Sequence, residues 1–181
     1  MDKILFINAC VRPNSRTLEL ANCVLTGLSG SVEEVKLYEK ELSPLTLNDL
    51  EIRNNCAKSK DFSGDIFNLS KQFASADVIV IAAPYWDLMF PAVVKSYFEN
   101  ITVNGLTFCY GENGIPIGLC KAKKLIYVTT SGGPIIHNFG YEYVTALAKS
   151  FYGIQNVQLV KAECLDIYGT DVVGIMQKAK E

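Results

Sequence analysis

The stretch Asp77-Val78-Ile79-Val80-Ile81-Ala82-Ala83 decides how this chain folds. After its first residue it is apolar throughout and rich in β-branched side chains, without the polar alternation of a strand that has one face in water. Such a run is typical of a parallel strand that is covered by helices on both faces. We therefore expect it to lie in the middle of an α/β sheet.

Strand-like and helical patterns alternate on both sides of this stretch. The predicted strands are residues 3–9, 32–38, 77–83, 124–129 and 157–165, and the predicted helices are residues 17–28, 65–74, 91–100, 141–152 and 171–180. A βα repeat of this kind favours a parallel sheet with right-handed crossovers. For five strands it predicts an α/β flavodoxin-like three-layer sandwich, with strand order 2-1-3-4-5 and helices on both faces of the sheet.

Two stretches interrupt the repeat. Residues 39–64 form a long polar connection, which we interpret either as part of a site or subunit contact or as a surface loop. Residues 105–119 contain Leu106-Thr107-Phe108-Cys109-Tyr110 followed by Gly111-Glu112-Asn113-Gly114, a pattern that predicts a β-hairpin. Nothing in the composition marks a linker, so residues 1–181 are predicted to form a single domain.

Composition excludes several classes of partner. The 181 residues carry a net charge of −2 and no run of basic residues, so we expect no nucleic-acid partner. No apolar run approaches the roughly 18 to 20 residues of a membrane span, so we expect no membrane partner either. These features together predict a cytoplasmic protein.

The cysteine pattern predicts no metal site. There are six cysteines, scattered without any C-x-x-C pair, and a single histidine, His137, that could join them. Zinc sites and redox dithiols need closer spacing. We therefore expect reduced, structural cysteines. They are Cys10, Cys23, Cys56, Cys109, Cys120 and Cys164.

Three segments that each follow a predicted strand indicate a ligand site. Arg12-Pro13-Asn14-Ser15-Arg16-Thr17 suits a phosphate, because hydroxyls and free N–H groups converge there at the positive end of a helix dipole. Pro84-Tyr85-Trp86-Asp87-Leu88-Met89-Phe90-Pro91 suits a planar aromatic ring, and Thr129-Thr130-Ser131-Gly132-Gly133-Pro134 offers backbone N–H groups to the polar edge of that ring. Loops after alternate strands of a parallel sheet converge at one edge. Together the segments predict a site for flavin mononucleotide (FMN).

Each segment also has a purely structural interpretation. Ser15 or Thr17 would then only cap a helix, and Ser131-Gly132-Gly133-Pro134 would be an ordinary turn. Trp86 would belong to the core. No G-x-G-x-x-G and no Walker lysine motif follows the first strand, which counts against a dinucleotide-binding Rossmann domain and against a nucleotide triphosphatase.

Four motifs carry a resemblance to a known family. They are Ser15-x-Thr17, Pro91-x-x-x-Lys95-x-Tyr97-Phe98, Thr107-Phe108-x-Tyr110-x-Glu112-Asn113-Gly114 and Ser131-Gly132-Gly133. On these motifs the chain resembles the flavodoxin-like NAD(P)H:acceptor oxidoreductases, and most closely the FMN-dependent NADH-azoreductases. The third motif is the most specific, and the resemblance covers nearly the whole chain.

The resemblance implies that the three segments bind FMN. The phosphate would be held by Ser15, Arg16 and Thr17. The isoalloxazine would lie on Pro84, Tyr85, Trp86, Asp87 and Leu88, with its pyrimidine edge at Thr130, Ser131, Gly132 and Gly133. His137 would lie near the nicotinamide or the substrate, unless it has only a surface role.

The resemblance also implies an activity and an assembly. NADH or NADPH would pass a hydride to flavin N5 and leave, and a quinone, azo or nitroaromatic compound would then accept the two electrons in a ping-pong reaction that needs no catalytic side chain. The family is generally homodimeric with its active site at the subunit interface, which would place Phe108 and Tyr110 near the partner's site. Two alternatives remain. One is a flavodoxin-type electron carrier, usually more acidic than −2, and the other is a flavodoxin-fold binding module without a cofactor.

Asp87 departs from the family pattern, in which many relatives have asparagine. A carboxylate cannot donate a hydrogen bond to a flavin carbonyl unless it is protonated. A fixed negative charge beside the ring would also oppose reduction to an anionic flavin. The side chain therefore either tunes the flavin or points to solvent and leaves only its backbone at the ring. Trp86 stands where a tyrosine is usual, which changes the size of the ring more than its chemistry.

Overall fold

A computed structural model describes residues 1–181, and its centre is a parallel five-stranded sheet. The strands are β1 (Asp2–Asn8), β2 (Gly30–Lys36), β3 (Val78–Ala82), β4 (Phe108–Tyr110), β5 (Pro116–Gly118), β6 (Lys124–Thr130) and β7 (Asn156–Ala162). The sheet has the order β2-β1-β3-β6-β7, while β4 and β5 pair as a separate antiparallel hairpin. Numbered within the sheet alone, this is the order 2-1-3-4-5, so the predicted fold and hairpin are confirmed.

Helices connect the parallel strands and cover both faces of the sheet. They are α1 (Arg16–Thr26), α2 (Leu47–Ser59), α3 (Asn68–Ser75), α4 (Ala92–Ile101), α5 (Phe139–Leu147) and α6 (Val172–Lys180). A 3₁₀ turn precedes α3, and α5 continues into a π-helical turn, Ala148–Tyr152. None of these helices combines the length and the hydropathy that crossing a bilayer would require.

Alternate residues of β3 belong to two separate cores. Ile79 and Ile81 lie in a cluster of 22 buried residues, most of whose helical members come from α3, α4 and α5. Val80 and Ala82 lie in a second cluster of 11 residues on the other face, beneath α1 and α6. All four side chains are fully buried. The prediction that this strand is central and covered on both faces is therefore confirmed.

The hairpin is fixed to the core through two glycines. A Cβ on Gly118 would lie 2.2 Å from the backbone nitrogen of Gly153, so only glycine permits this approach. Gly153 itself has a φ of 78°, in the region that favours glycine. Phe108 is 5% exposed and packs edge-on against Phe151, with ring centroids 5.0 Å apart. The hairpin is therefore part of the packed subunit.

The interpretation of residues 39–64 as a surface loop is wrong, because α2 occupies half of that stretch. The helix begins with a capping box, in which Thr46 Oγ1 accepts from the Asp49 N–H (3.3 Å) and the Asp49 carboxylate accepts from the Thr46 N–H (2.8 Å). Its exposed side chains show no apolar stripe, so periodicity could not reveal it. The T-x-x-D spacing was the one local signal of this helix.

Arg53 attaches α2 to the body of the protein. It is 7% exposed, and its guanidinium donates to the carbonyls of Glu99 (2.9 Å) and Asn100 (2.6 Å). These carbonyls belong to the last turn of α4, where they have no partner within the helix and where a cation is favoured by the helix dipole. Burial lowers the pKa of Arg53 below its usual value, although the guanidinium stays charged at neutral pH.

Several predicted boundaries shift by a few residues, and two of these shifts have a clear local cause. The last sheet strand ends at Ala162 rather than 165, because the backbone N–H groups of residues 164–166 donate to the loop at 131–133 instead of to a strand. Pro91 lies at the N-cap of α4 and not in its first turn. Neither shift changes the order of the elements.

Replacing Arg53 with methionine should lower the free energy of unfolding by about 2 to 4 kcal/mol, because two charge-assisted hydrogen bonds to partly buried carbonyls are lost. Urea unfolding monitored by circular dichroism measures the loss. Lys58→Met is the matched control, since Lys58 is an exposed cation on the same helix. Equal losses in the two variants would show that Arg53 does not hold α2 in place.

Candidate functional site

A cleft opens at the edge of the sheet where the parallel strands end. It encloses about 400 Å³, within the roughly 300 to 1,000 Å³ typical of small-molecule sites. The loops after β1, β3, β6 and β7 line it, beside the point where the strand order reverses between β1 and β3. The lining residues are Cys10, Val11, Arg12, Asn14, Ser15, Arg16, Thr17, Pro84, Tyr85, Trp86, Thr130, Ser131, Gly132, Leu165 and Asp166.

Nine of the twelve residues predicted to bind a cofactor line this cleft. They are Ser15, Arg16, Thr17, Pro84, Tyr85, Trp86, Thr130, Ser131 and Gly132. Asp87, Leu88 and Gly133 lie beside the cleft but do not line it, and neither does His137. The structure therefore brings the three predicted segments together, while the contacts of these four residues stay predictions.

Four lining residues lie outside the predicted segments. They are Cys10, Val11, Leu165 and Asp166. The last two follow β7, so the rule that placed the other loops at this edge applies to them as well. Applying it to the fifth strand of the sheet would have found them.

The N-terminus of α1 presents free donors to the cleft. The backbone N–H groups of Asn14, Ser15, Arg16 and Thr17 have no acceptor within the chain. Ser15 is the N-cap, and its hydroxyl oxygen accepts from the Leu18 N–H at 3.3 Å. The capping role considered for Ser15 is therefore real, and it uses the oxygen of the hydroxyl rather than its proton. Such an end of a helix suits an anion.

Thr17 lines the cleft, but its hydroxyl is already bonded within the chain. It is 1% exposed, and its hydroxyl lies 2.6 Å from the hydroxyl of Thr130, which is 8% exposed. This hydrogen bond joins the loop after β1 to the end of β6. The observed role of Thr17 is thus to hold two walls of the cleft together.

Two arginines line the cleft, and only one of them is paired. Arg16 forms an ion pair with Asp166, with Nη1 and Oδ1 2.7 Å apart, and also donates to the carbonyl of Leu165 at 3.1 Å. Arg12 is exposed and forms no ion pair. The charges of Arg16 and Asp166 cancel, so the net positive charge of these three side chains is that of Arg12.

The carbonyls of the double-glycine loop are hydrogen-bonded within the chain, whereas two of its N–H groups are free. The carbonyls of residues 131, 132 and 133 accept from the N–H groups of Leu165 (3.2 Å), Asp166 (2.9 Å) and Cys164 (3.1 Å). The N–H groups of Gly132 and Gly133 have no acceptor in the chain. A Cβ on Gly132 would lie 2.4 Å from Asp166 Oδ2, so a larger residue here would displace the Asp166 carboxylate.

The aromatic loop after β3 contains a tight turn that explains the residue type at position 87. Trp86 and Met89 exchange two backbone hydrogen bonds of 2.9 and 2.8 Å. The two residues between them, Asp87 and Leu88, have φ angles of 49° and 67°. Aspartate and asparagine tolerate this left-handed conformation better than other side chains do. The backbone of the turn therefore favours Asp or Asn at position 87, although Leu88 adopts the same region, and the Asp87 side chain is exposed.

A further contact joins the aromatic loop to the loop that follows β6. The Tyr85 hydroxyl donates to the carbonyl of His137 at 2.9 Å. The His137 ring is exposed and stacks on Phe139, with centroids 5.3 Å apart. His137 thus accepts, through its carbonyl, a hydrogen bond from a residue that lines the cleft, and its ring is exposed.

Titratable groups near the cleft have structural functions. Burial raises the pKa of the Cys10 thiol, and a hydrogen bond from Ser15 opposes this only in part, so the thiol is protonated and unreactive at neutral pH. Glu163 accepts from the Ile135 N–H (2.8 Å) and pairs with Lys161 (2.9 Å). The hydrogen bond from Ile135, followed by that from Lys161, lowers the pKa of Glu163. This carboxylate fixes the chain just after the double glycine.

Comparisons with known proteins agree with this architecture. A sequence model of the family described as "Flavodoxin-like fold" matches residues 2–181. An FMN-dependent NADH:quinone oxidoreductase of Coprothermobacter proteolyticus is 36% identical over 95% of this chain and 91% of its own length. A second one, from Clostridium acetobutylicum, is 33% identical over 100% of this chain and 98% of its own length. Among solved structures, an azoreductase from Bacillus anthracis superposes with a TM-score of 0.86 at 25% identity, over 99% of this chain and 95% of that one.

Replacing Asp87 with valine should lower the free energy of unfolding by about 1 to 2 kcal/mol, since a β-branched residue is strained at positive φ. Asp87→Asn should stay within about 0.5 kcal/mol of the parent, because asparagine adopts the same conformation. Urea unfolding of the three proteins measures both values. If the two variants lose the same stability, the carboxylate rather than the turn selects aspartate at this position.

Proposed function

The chain belongs to the flavodoxin-like fold family, in the group of FMN-dependent NADH:quinone oxidoreductases, and we propose that it catalyses the FMN-dependent transfer of two electrons from NADH or NADPH to quinones, azo compounds or nitroaromatics. The names of the two relatives given above specify a quinone as substrate, and the structural neighbour is named as an azoreductase. Both names describe the reduction of a small aromatic or conjugated acceptor.

One observation carries this proposal: a single cleft unites a helix N-terminus, an aromatic loop and a loop with unpartnered N–H groups. FMN has a part that matches each of them, namely a phosphate, a planar ring and the polar pyrimidine edge of that ring. Neutral and cationic donors predominate at the end where the phosphate would lie. The residues present therefore fit FMN.

The phosphate would be held at the start of α1. The hydroxyl of Ser15 and the free N–H groups of Arg16 and Thr17 would donate to its oxygens. Arg12 would add the unpaired positive charge at the rim. Thr17 would serve mainly through its backbone, because its hydroxyl is bonded to Thr130.

The ring would lie between the aromatic loop and the double-glycine loop. Tyr85 and Trp86 line the cleft, and Trp86 is 40% exposed, which argues against a purely core role for this side chain. Bound FMN supplies the redox chemistry, the two-electron exchange between nicotinamide and acceptor. The protein orients donors in advance: the N–H groups of Gly132 and Gly133 would stabilise negative charge at the pyrimidine edge without any rearrangement.

We further propose that the protein forms a homodimer through the β4–β5 hairpin. Four apolar side chains there are 44% to 60% exposed, more than a lone subunit would need to present in one place. They are Tyr110, Ile115, Ile117 and Leu119. Phe108, the other residue that the resemblance places near the partner's site, is buried and packs against Phe151 inside the subunit. Tyr110 thus remains the aromatic residue that would reach the partner's site.

The proposed cellular location is the cytoplasm. All six cysteines are free, as is usual for proteins of a reducing compartment. The proposed use of NADH or NADPH as electron donor is consistent with the same location.

FMN titration and a coupled assay test the function. The purified protein is expected to bind FMN and to oxidise NADH with a quinone or azo dye only when FMN is present. Arg12→Gln should weaken FMN binding about fivefold to tenfold, because a charged donor to the phosphate is lost, and the effect should shrink at high salt. Lys58→Gln is the matched control, because Lys58 is an exposed cation on α2 that does not line the cleft. This variant should leave the affinity unchanged.

The other outcomes distinguish the alternatives. Bound FMN that NADH cannot reduce would identify an electron carrier. Failure to bind FMN at all would identify a cofactor-free binding module.

Sedimentation tests the dimer. The parent protein should sediment as a dimer at micromolar concentration, and Ile117→Glu should sediment as a monomer, because a charge in the centre of an apolar interface is not compensated. Val173→Glu is the control, since Val173 is 77% exposed on α6, away from the hairpin in the sequence. A monomeric parent protein would contradict the proposal.

A further inference from the structure

The contacts of Arg16 leave one edge of its guanidinium free. Nη1 donates both of its protons, one to the carbonyl of Leu165 (3.1 Å) and one to Asp166 Oδ1 (2.7 Å). Nε and Nη2 make no hydrogen bond within the chain. Their N–H groups form the parallel fork that binds a carboxylate or a phosphate with two hydrogen bonds.

Asp166 is held through its backbone, and its carboxylate has room beside Gly132. Its backbone N–H donates to the carbonyl of Gly132 at 2.9 Å. The absence of a side chain at Gly132 lets Asp166 Oδ2 come within 2.4 Å of the place where a Cβ would lie. A guanidinium is planar, so holding Nη1 at two points on this fixed loop determines the orientation of the whole group.

We propose that Asp166 is a positioning residue for the anionic end of the ligand: it orients Arg16 so that the free Nε–Nη2 edge binds the phosphate. This inference rests on the proposed binding of FMN in the cleft. Asp166 acts through Arg16 and through no contact of its own with the phosphate.

The opposite effect, repulsion between Asp166 and the phosphate, is weaker than the positioning effect. The Asp166 side chain is 70% exposed and that of Arg16 is 41% exposed, so water and salt screen the long-range charge interaction. Orientation of a bidentate donor is not screened in this way, because it depends on geometry at hydrogen-bond distance. Loss of Asp166 should therefore weaken phosphate binding.

Riboflavin, which has the same ring system but no phosphate, separates this mechanism from others. The experiment measures the affinity of the full-length apoprotein for FMN and for riboflavin by flavin fluorescence. Asp166→Ala should weaken FMN binding about fivefold to tenfold and leave riboflavin binding unchanged. Asp166→Asn should recover part of the loss, since its carbonyl oxygen still accepts from Nη1.

Arg16 variants complete the test. Arg16→Lys should weaken FMN binding as much as Asp166→Ala, because lysine cannot form the fork. Combining the two substitutions should add nothing to either, which marks two residues that act as one unit. Glu51→Ala is the matched control, an exposed carboxylate on α2, and should change neither affinity.

Three results would overturn the inference. These are tighter FMN binding by Asp166→Ala, an equal loss for riboflavin, and additive losses in the double variant. Thermal unfolding of each variant identifies one that is not folded, and Asp166→Asn then replaces Asp166→Ala in the comparison. A parent protein that binds riboflavin and FMN equally well would also contradict the inference, while one that binds neither would contradict the proposed function itself.

Discussion

The burial of β3 on both faces is the constraint on which the rest of the structure depends. Helices cover this strand above and below, as they do in a sheet whose parallel neighbours are joined by crossovers. In such a sheet the strands end at one edge, so loops that are distant in sequence meet there. The cleft therefore results from the packing of the hydrophobic core. Buried apolar side chains fix the positions of polar groups that they do not contact.

The loops of the cleft then hold one another. The Thr17–Thr130 hydrogen bond joins two walls, and the backbone bonds between residues 131–133 and 164–166 join two more. Arg16 reaches across from α1 to the loop after β7. Because each of these contacts runs between different loops, the donors are in place before any ligand arrives, which lowers the entropy lost on binding.

Local signals made the fold and much of the cleft predictable, and long-range contacts account for what was missed. The apolar run at 77–83 and the loops after three strands could be recognised from their own residues. Helix α2 lacks an apolar stripe, so only its capping box marked it. The left-handed turn at Asp87 and the orientation of Phe108 depend on backbone angles and packing that no pattern encodes. Asp166 follows the fifth strand of the sheet, where the rule used for the other loops would have placed it at the cleft, but its contact with Arg16 is a long-range one that no local pattern encodes.

Several of the donors in the loops of the cleft belong to the main chain, and this bears on how the protein evolves. Any residue except proline supplies a backbone N–H group, so the N-terminus of α1 and the double-glycine loop can keep their donors while neighbouring side chains are replaced. A relative that shares 36% of its residues with this chain can therefore inherit the same binding surface.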